Sequence, residues 1–542
     1  MTSIFIFNNA SRAAGYGIGT YVRQLADGLR RAHDTRVSLV EMYAGTKELA
    51  ISDDEDGMRH YLIPSLNSGM ENENYCRIIF YFLARNIDHN GCGRMVFLFN
   101  YFQHYPLAAL LKSCFPNSCI VLTVHYMNWC FELKGNVRRM KAITADGYEP
   151  KSDKEKELIA SFSGEEKFLH LADAVLVLSR RTKEILTVDY KVSNDKMHLV
   201  YNGTAGEVCR NSSSPAGKWL RRDILYVGRL DEIKGLKYLI SAYGKVVDKY
   251  PDIHLVIVGD GDFQPYLEQC RKMQGRVSFL GKMQSGDVDS VYQSAYMGVM
   301  PSFHEQCSYT AIEMMRHGIP VIGTDSTGLS EMLDAVPQLR VHIDEDEFSE
   351  DSFVSQIALR MDMLLSDNAA YRLASDAVQK QYEKRYTLDA MIQGVSDAVL
   401  SFHEKSSPIV SADYLPHMDK QMTALINRHP DIDMEFYGMA GIGIYLWWRM
   451  LQLEKNGGAG TSQYATIKEN LTRYLDWVEA VIDDEPAGEE LRAMLYSMKE
   501  HGFCPALAER ILEHGGGDSE GLSFPSEEEI LHNALKICTC KI

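Results

Sequence analysis

The sequence predicts an α/β protein made of two parallel-sheet units in tandem, followed by an all-α appendage. Short apolar strand patterns alternate with helix patterns through the first 200 residues. After a polar, turn-rich stretch at 211–217 the same alternation starts again. Strand patterns are nearly absent beyond residue 408. Short strands alternating with helices are typical of parallel sheets covered by helices on both faces.

The first predicted unit covers residues 1–205. A glycine-rich turn at Gly15–Gly19 comes before an amphipathic helix near Tyr21–Arg31. Apolar, β-branched or aromatic runs bounded by turn residues indicate the strands. These strands are Ile4–Phe7, Val37–Met42, Arg94–Asn100, Cys119–His125, Ala174–Leu178 and His198–Tyr201.

The second predicted unit covers residues 206–403. Its strands are Ile224–Val227, His254–Val258, Val277–Leu280, Met297–Met300 and Pro320–Gly323, and its main helices are Leu236–Lys249 and Ser308–His317. An amphipathic helix at Tyr386–Phe402 is expected to close this unit. Two such units in tandem enclose a cleft lined by the carboxyl ends of strands, where sheets of this kind bind ligands.

The appendage, residues 408–542, contains four helix patterns, at Gly441–Gln452, Tyr464–Ile482, Gly488–His501 and Pro505–His514. It carries 22 acidic and 11 basic residues, and the whole chain has a net charge of −18. Because of this acidity, a basic protein partner is a better match for the appendage than an anionic lipid surface.

Composition excludes several classes of protein. With 45% hydrophobic and 24% charged residues, the chain is an ordinary globular protein. The negative net charge argues against nucleic acid as a partner. The eleven cysteines include no CxxC pair, so neither a disulfide framework nor a structural zinc site is expected. No signal peptide and no 18-residue apolar stretch is present, which predicts a cytoplasmic location and leaves peripheral contact with the inner membrane face open.

The strongest motif follows strand Ile224–Val227, where the sequence runs Gly228-Arg229, four residues, then Lys234-Gly235. A glycine after a strand lets the backbone turn and lets a ligand approach. An arginine fork and a lysine point charge at the strand end suit a diphosphate. The alternative is that both cations are solvated surface residues.

A second motif places two glutamates eight residues apart around a helix start. Glu305 lies in the loop before the helix that begins near Ser308, and Glu313 lies inside that helix. Amide groups at a helix N-terminus bind anions. One glutamate would then reach a sugar and the other a ribose hydroxyl pair. Alternatively, Glu305 caps the helix and Glu313 is solvated.

Taken together, these motifs resemble the retaining glycosyltransferases of family 4, over residues 1 to about 403. Gly259-Asp260-Gly261, Gly318-Ile319-Pro320-Val321 and Gly328-x2-Glu331 complete the pattern. The resemblance implies the GT-B fold, with two Rossmann-like domains that face a cleft. It also implies transfer from a nucleotide-diphosphate sugar, UDP-sugar first and GDP-sugar second, to a hydroxyl of a glycan, a lipid-linked glycan or a peptide, with retained configuration.

The resemblance also assigns the site residues. The catalytic set is His125, Arg229, Lys234 and Glu305, and the donor-binding set is Gly17, Gly19, Gly228, Cys307, Ser308, Tyr309, Thr310 and Glu313. No cofactor and no metal are expected, although several Asp-x-Asp triplets occur. Where this family often has Glu-Gly-Phe-Gly, the chain has Glu305-Gln306-Cys307-Ser308, which leaves the sugar preference open. Packing in the loop is favoured over a nucleophilic role for Cys307.

Two rival functions share this fold. A nucleotide-sugar epimerase would need further cleft acids and bases. A non-catalytic scaffold would need only nucleotide binding, with the appendage as its docking module for a protein partner. In the appendage, Phe436–Trp448 resembles one glycine-rich helix start of the lanthionine-cyclase-like helical domains. A plain packing helix is the favoured interpretation of that stretch.

Overall fold

We describe a computed structural model of the chain. The structure describes residues 2–10, 17–31, 35–66, 70–87, 94–115, 118–145, 147–206, 221–283, 285–345, 347–400, 419, 422–423, 440–481, 489–503, 509, 512 and 530. The predicted linker at 211–217 and most of the predicted helix Pro505–His514 lie outside these residues.

The first sheet has eight strands in the order β3-β4-β2-β1-β5-β6-β7-β8. Only the edge strand β3 runs antiparallel, and the other pairings are parallel. The strands are β1 (Thr2–Asn9), β2 (Thr35–Ala44), β3 (Ala50–Asp53), β4 (Arg59–Pro64), β5 (Arg94–Phe99), β6 (Cys119–Val124), β7 (Ala174–Val177) and β8 (Met197–Leu199). Strands β3 and β4 were not predicted. Strand β3 is largely exposed and shows no apolar run.

The second sheet has six strands, all parallel, in the order β11-β10-β9-β12-β13-β14. They are β9 (Arg222–Val227), β10 (Ile253–Val258), β11 (Val277–Gly281), β12 (Ala295–Met300), β13 (Val321–Thr324) and β14 (Arg340–Val341). Strands β10, β12 and β13 are buried along their whole length. Such burial on both faces explains their continuous apolar sequences.

Fifteen helices lie in the described part of residues 1–400. They are α1 (Gly17–Arg30), α2 (Asn72–Asn86), α3 (Tyr105–Cys114), α4 (Trp129–Glu132), α5 (Val137–Ile143), α6 (Asp153–Leu171), α7 (Arg180–Val188), α8 (Leu236–Val246), α9 (Gln264–Gln269), α10 (Ser285–Ser294), α11 (Tyr309–Arg316), α12 (Thr327–Met332), α13 (Glu350–Ser366), α14 (Asn368–Arg385) and α15 (Leu388–Leu400).

The packing of helix α15 differs from what the sequence predicted. This helix was expected to close the second unit, but it packs on α1 and β7 of the first sheet. Met391 and Val395 are buried in the same core as Ile4 and Leu25. An amphipathic pattern shows that a helix buries one face, but it does not show which sheet receives that face.

The chain forms two compact units. One contains both sheets and comprises Met1–Ser68, Gly91–Tyr105 and Cys119–Phe402. The other comprises Gly69–Asn90, Pro106–Ser118 and His403–Ile542. The predicted fold class, tandem parallel-sheet α/β domains with C-terminal helices, is confirmed. The predicted domain ends at 205 and 403 stay predictions.

The described part of the appendage is helical: α16 (Ala440–Lys455), α17 (Ser462–Val481) and α18 (Glu489–Glu500). Helix α16 is the packed core of this bundle. A side chain at Gly443 would overlap Tyr474, and Trp447 is buried with its indole donating to Ser497 Oγ at 3.0 Å. The described part of the stretch Phe436–Trp448 therefore packs in a helical core, and its resemblance to cyclase-like domains stays a prediction. Among the described residues, no helix is both long and apolar enough for a membrane crossing.

Candidate functional site

The site begins where β9 ends. Gly228 follows the strand, and its amide donates to the Val258 carbonyl at 3.0 Å. Arg229 is held beside the strand end by an ion pair with Asp231, with Nη1 and Oδ2 2.9 Å apart. A short 3₁₀ turn, Glu232–Lys234, then leads into α8. Arg229 and Asp231 are each about a third exposed, so this pair lies at the surface of the described structure.

Gly235 fixes the position of Lys234. It has a left-handed backbone, with φ of 70°, between the 3₁₀ turn and α8. A Cβ at this position would also lie 2.2 Å from the carbonyl oxygen of Pro301. Glycine is required for both reasons. The close approach brings the turn that carries Lys234 against the loop after β12.

Lys234 and Glu305 form the centre of the site. Lys234 Nζ donates to Glu305 Oε1 at 2.6 Å, and both side chains are mostly buried, with 21% and 12% of their surface exposed. Both come from loops at the carboxyl ends of neighbouring parallel strands, β9 and β12. The sequence placed these two residues in one site, and the structure brings them into direct contact.

The backbone around Glu305 is tied to the start of α12. Its amide donates to Thr327 Oγ1 at 3.3 Å, and its carbonyl accepts from the Gly328 amide at 2.8 Å. A Cβ at Gly328 would lie 1.6 Å from the Gln306 carbonyl oxygen. These contacts fix the direction in which the Glu305 carboxylate points.

Helix α11 begins directly after this loop. Ser308 is its N-cap, and its side chain accepts from the Ala311 amide. Within the described structure, no hydrogen bond engages the amides of Tyr309 and Thr310. Unbonded amides in a first helical turn can bind an anion. This end of the helix is therefore suited to a phosphate, as the motif predicted.

Cys307 has a packing environment. It is buried, and burial raises the pKa of its thiol, so the thiolate that a nucleophile needs is disfavoured. Its carbonyl accepts from Asn202 Nδ2 at 2.7 Å. The structure agrees with the interpretation of Cys307 as a packing residue in the loop.

Glu313 is not a solvated side chain. Its Oε2 accepts from the Tyr292 hydroxyl at 2.7 Å, and burial raises the pKa of its carboxyl group. Arg316, one turn further along, opposes this rise. Glu313 is thus a partly desolvated hydrogen-bond acceptor held in place by Tyr292.

Gly17 and Gly19 lie within α1 rather than in a turn before it, which corrects the predicted start of that helix. Residues 15 and 16 lie outside the described residues. A side-chain carbon at Gly17 would lie 3.7 Å from Tyr309 Cδ2, whereas Gly19 is buried. Gly17 therefore brings the N-terminal end of α1 beside the N-terminal end of α11.

His125 follows β6 and lies against the first sheet. Its Nε2 is 2.9 Å from Asn100 Oδ1, and its ring meets Tyr21 edge-on at 4.7 Å between centroids. Burial lowers the pKa of His125 to about 3, so the imidazole is neutral at ordinary pH. Among the described contacts, none joins His125 to Lys234 or Glu305. The structure brings Lys234 and Glu305 together without His125.

Sequence reasoning missed His304 and Thr327. His304 is buried, with Nδ1 3.2 Å from Thr327 Oγ1, and burial lowers its pKa to about 4. Its neighbour Gln306 accepts from Ser179 Oγ at 3.3 Å. These side chains support the loop that carries Glu305. No local pattern marks them, because each contact joins residues far apart in the chain.

A cavity of about 730 Å³ adjoins this loop. It is lined by residues 133–137, 180, 181 and 184, which belong to the first half of the chain, and by residues 238, 303, 325–327, 330, 331, 334, 343–345 and 348, which belong to the second. Thr327 both lines this cavity and accepts from the Glu305 amide, and the lining residue Phe303 lies two positions before Glu305 in the chain.

Two family descriptions match parts of this chain. The family described as "Glycosyltransferase Family 4" matches residues 16–205, and the one described as "Glycosyl transferases group 1" matches residues 221–357. Together the two matches span more than half of the chain. The chain belongs to glycosyltransferase family 4.

Curated relatives of this family-4 chain align over part of its length. An uncharacterized glycosyltransferase of Methanocaldococcus jannaschii is 33% identical over 172 residues, 29% of this chain and 44% of the relative. The D-inositol 3-phosphate glycosyltransferase of Corynebacterium glutamicum is 25% identical over 40% of this chain and 54% of that protein. The chain thus spans about half the length of the curated relatives it matches.

Solved structures confirm the GT-B fold of this family-4 chain. Sucrose-phosphate synthase from Thermosynechococcus elongatus superposes with a TM-score of 0.56 at 19% identity, over 74% of this chain and 99% of that one. Anabaena HepE, crystallised in complex with UDP, has a TM-score of 0.52 at 13% identity, over 74% and 100%.

Proposed function

We propose that this chain transfers a sugar from a nucleoside-diphosphate sugar to a hydroxyl group of an acceptor, without a metal and with retention of configuration. The observation that carries the proposal is the 2.6 Å contact between Lys234 and Glu305. Beside it lie the unbonded amides at the start of α11. A cation, a carboxylate and a helix N-terminus are the groups that a sugar diphosphate requires.

The cations and amides act on the leaving group. As the bond between the anomeric carbon and the diphosphate breaks, its electron pair passes to the departing phosphate oxygen. Lys234, Arg229 and the first-turn amides of α11 oppose this growing negative charge. Preorganised donors aimed at a developing oxyanion are the largest contribution in many enzymes. They supply here the stabilisation that other transferases obtain from a divalent ion.

The glutamates orient the donor. Glu305 accepts hydrogen bonds from sugar hydroxyls, and its tie to Thr327 keeps the ring in one orientation. Glu313, held by Tyr292, accepts from the ribose hydroxyl pair. The acceptor oxygen forms the new bond on the face that the diphosphate leaves, and its proton passes to the departing phosphate oxygen. Neutral His125 serves as a hydrogen-bond partner for the sugar rather than as a cation.

UDP-sugars are the first donors to test and GDP-sugars the second. The structural neighbour HepE binds UDP in its crystal. The relative from C. glutamicum is named for an inositol-phosphate acceptor, and a relative from Streptomyces kanamyceticus, 26% identical over 30% of this chain and 45% of its own, for transfer of kanosamine. Acceptors therefore vary within the relatives, and a hydroxyl of a glycan, a lipid-linked glycan or a peptide is proposed here.

A donor screen tests the proposal. The protein is mixed with UDP-, GDP- and ADP-sugars in the absence of divalent metal, and release of nucleoside diphosphate is followed. Slow release from one donor is expected, because water can replace the acceptor. The release should disappear in Glu305→Ala and Lys234→Ala. Release that persists in both variants would contradict a site built on this pair.

A further inference from the structure

The cavity beside the Glu305 loop has an aromatic side. Tyr238, Phe303 and Phe348 line it, and their ring centroids lie 5.3 to 5.7 Å apart. Phe348 is 40% exposed, although it belongs to this cluster. Tyr238 and Phe303 are buried, so of these three rings it is the partly open Phe348 that offers a face to an apolar part of a ligand.

The lining of the cavity also includes a buried carboxylate, that of Glu331. Glu331 is 7% exposed, and its Oε2 accepts from the Arg180 amide at 2.7 Å. Its Oε1 makes no hydrogen bond to any described residue. Burial, and then a hydrogen bond to the Glu331 carboxylate, raise the pKa of the neighbouring Tyr201. A buried acceptor without a donor is costly unless a ligand or water supplies one.

The charges around the cavity point to a neutral ligand. Six carboxylates and three cations line it. The cations are engaged, since Arg180 pairs with Asp334, Arg181 with Glu184 at 3.0 Å and Lys134 with Glu232 at 2.7 Å. No unpaired lining cation is therefore left in the described structure for a phosphate. Two of the carboxylates are in turn paired, Asp334 with Arg340 at 2.7 Å and Asp325 with His342 at 2.5 Å.

We propose that this cavity binds a neutral saccharide portion of the acceptor. Carboxylates accept hydrogen bonds from sugar hydroxyls, and an aromatic face packs against the C–H face of a pyranose ring. A volume of about 730 Å³ lies within the range of about 300–1,000 Å³ that is usual for small-molecule sites. The inference rests on the proposed transferase function, since Thr327, which lines the cavity and bonds the Glu305 amide, puts the bound saccharide next to the Glu305 loop.

Binding is measured by calorimetry without any donor. The probes are the neutral disaccharides maltose, cellobiose, lactose and N,N′-diacetylchitobiose, each up to about 20 mM, with glucose 6-phosphate and tetralysine as charged probes. Phe348→Ala removes part of the aromatic side, and Ser330→Phe fills the cavity. Phe263→Ala is the matched control, because Phe263 is 42% exposed and does not line the cavity.

At least one neutral disaccharide should bind to the wild type. Phe348→Ala and Ser330→Phe should each weaken that binding by about tenfold or more, and Phe263→Ala should not. The proposal is overturned if no neutral disaccharide binds, if only a charged probe binds, or if both cavity variants bind like the wild type.

The donor screen described above, run on the same proteins, separates this inference from the proposed function. Should the cavity assignment alone be wrong, the wild type still releases nucleoside diphosphate from one donor, and the cavity variants leave saccharide binding unchanged. Should the transferase function be wrong, the wild type releases no nucleoside diphosphate from any donor, whatever the saccharides do.

Discussion

Lys234 and Glu305, 71 positions apart in the chain, form an ion pair with Nζ and Oε1 2.6 Å apart. The pair exists because Gly235 lets the turn after β9 approach Pro301 in the loop after β12. A mostly buried cation and carboxylate in contact stabilise each other. Under the proposed function, a bound sugar diphosphate gives each group a new partner, a phosphate for the lysine and sugar hydroxyls for the glutamate.

Removing either member of this pair should abolish donor turnover. Lys234→Ala and Glu305→Gln are each expected to lower kcat/KM for the donor by about 100-fold or more, because each removes a group that acts on the transition state. Lys237→Ala is the matched control, since Lys237 is an exposed lysine three residues away that pairs with Glu350 at 3.4 Å. A loss of similar size in Lys237→Ala would mean that general surface charge, rather than the pair, carries the effect.

Glu313 should affect donor binding more than chemistry. Glu313→Gln is expected to raise the donor KM by about tenfold with a smaller change in kcat, because a ribose contact is made in both the ground state and the transition state. Tyr292→Phe keeps the carboxylate but removes its 2.7 Å partner, so it should show a weaker form of the same change. Initial rates at a series of donor concentrations give kcat and KM for both variants. A fall in kcat with unchanged KM would argue against a ribose contact.

Gly235 should not tolerate alanine. Gly235→Ala combines a positive φ of 70° with a Cβ only 2.2 Å from Pro301 O, so a loss of about 3 kcal/mol or more in the free energy of unfolding is expected. Gly275→Ala is the control, since Gly275 has φ of 84° with open space around it and should lose about 1 kcal/mol. Urea unfolding gives the free energy of unfolding of both variants. Equal losses in the two would show that the close approach of Gly235 to Pro301 is unimportant.

The buried carboxyl group of Glu165 is expected to make the free energy of unfolding depend on pH. It is 1% exposed, accepts from the Asn128 amide and the Tyr190 hydroxyl, and burial raises its pKa to about 7. A carboxyl with a folded pKa above its unfolded value of about 4.3 binds a proton more strongly when folded. Its contribution to stability is complete below about pH 4.3 and is lost as the pH rises to about 7, by at most about 1.4 kcal/mol per pH unit.

The variant Glu165→Gln tests whether ionisation of Glu165 causes this loss of stability. It stays uncharged, and it should flatten the fall in unfolding free energy between about pH 5 and 7. The adjacent groups Tyr126, Cys130 and Tyr190 all have raised pKa values, so they do not ionise in this range. Chemical unfolding at a series of pH values gives the slope, and an unchanged slope in the variant would rule out this source.

Turnover should not depend on a divalent ion. With Lys234, Arg229 and the α11 amides stabilising the diphosphate, addition of EDTA is expected to leave the rate of nucleoside-diphosphate release within a factor of about two. Mg²⁺ or Mn²⁺ is then added to the EDTA-treated protein to test whether either ion raises the rate of release. Recovery of a lost rate by either ion would contradict the metal-free mechanism.

Much of the fold could be predicted because its strands are continuous apolar runs. Strands such as β10 and β12 are buried on both faces, so their sequences identify them directly. The edge strand β3 is mostly exposed and gives no such signal. The packing partner of α15 could not be predicted either, since an apolar stripe carries no information about which core it joins.

The site was predictable as a set of residues but not as a set of contacts. Lys234 and Glu305 could be placed together because the motifs that carry them resemble, as a set, those of glycosyltransferase family 4. The partners of Arg229 and Glu313 could not be foreseen, since Asp231 and Tyr292 carry no recognisable motif. The same holds for His304 and Thr327, whose contact depends on tertiary packing across 23 positions.

The most direct test of the central claim is calorimetric titration of UDP, GDP and ADP into the wild type, Lys234→Ala and Glu305→Gln. One nucleoside diphosphate should bind the wild type. Lys234→Ala should weaken it by about tenfold or more, whereas Glu305→Gln, which loses a sugar contact, should stay within a factor of about three. Failure of all three diphosphates to bind, or equal binding by Lys234→Ala, would contradict a donor site centred on Lys234 and Glu305.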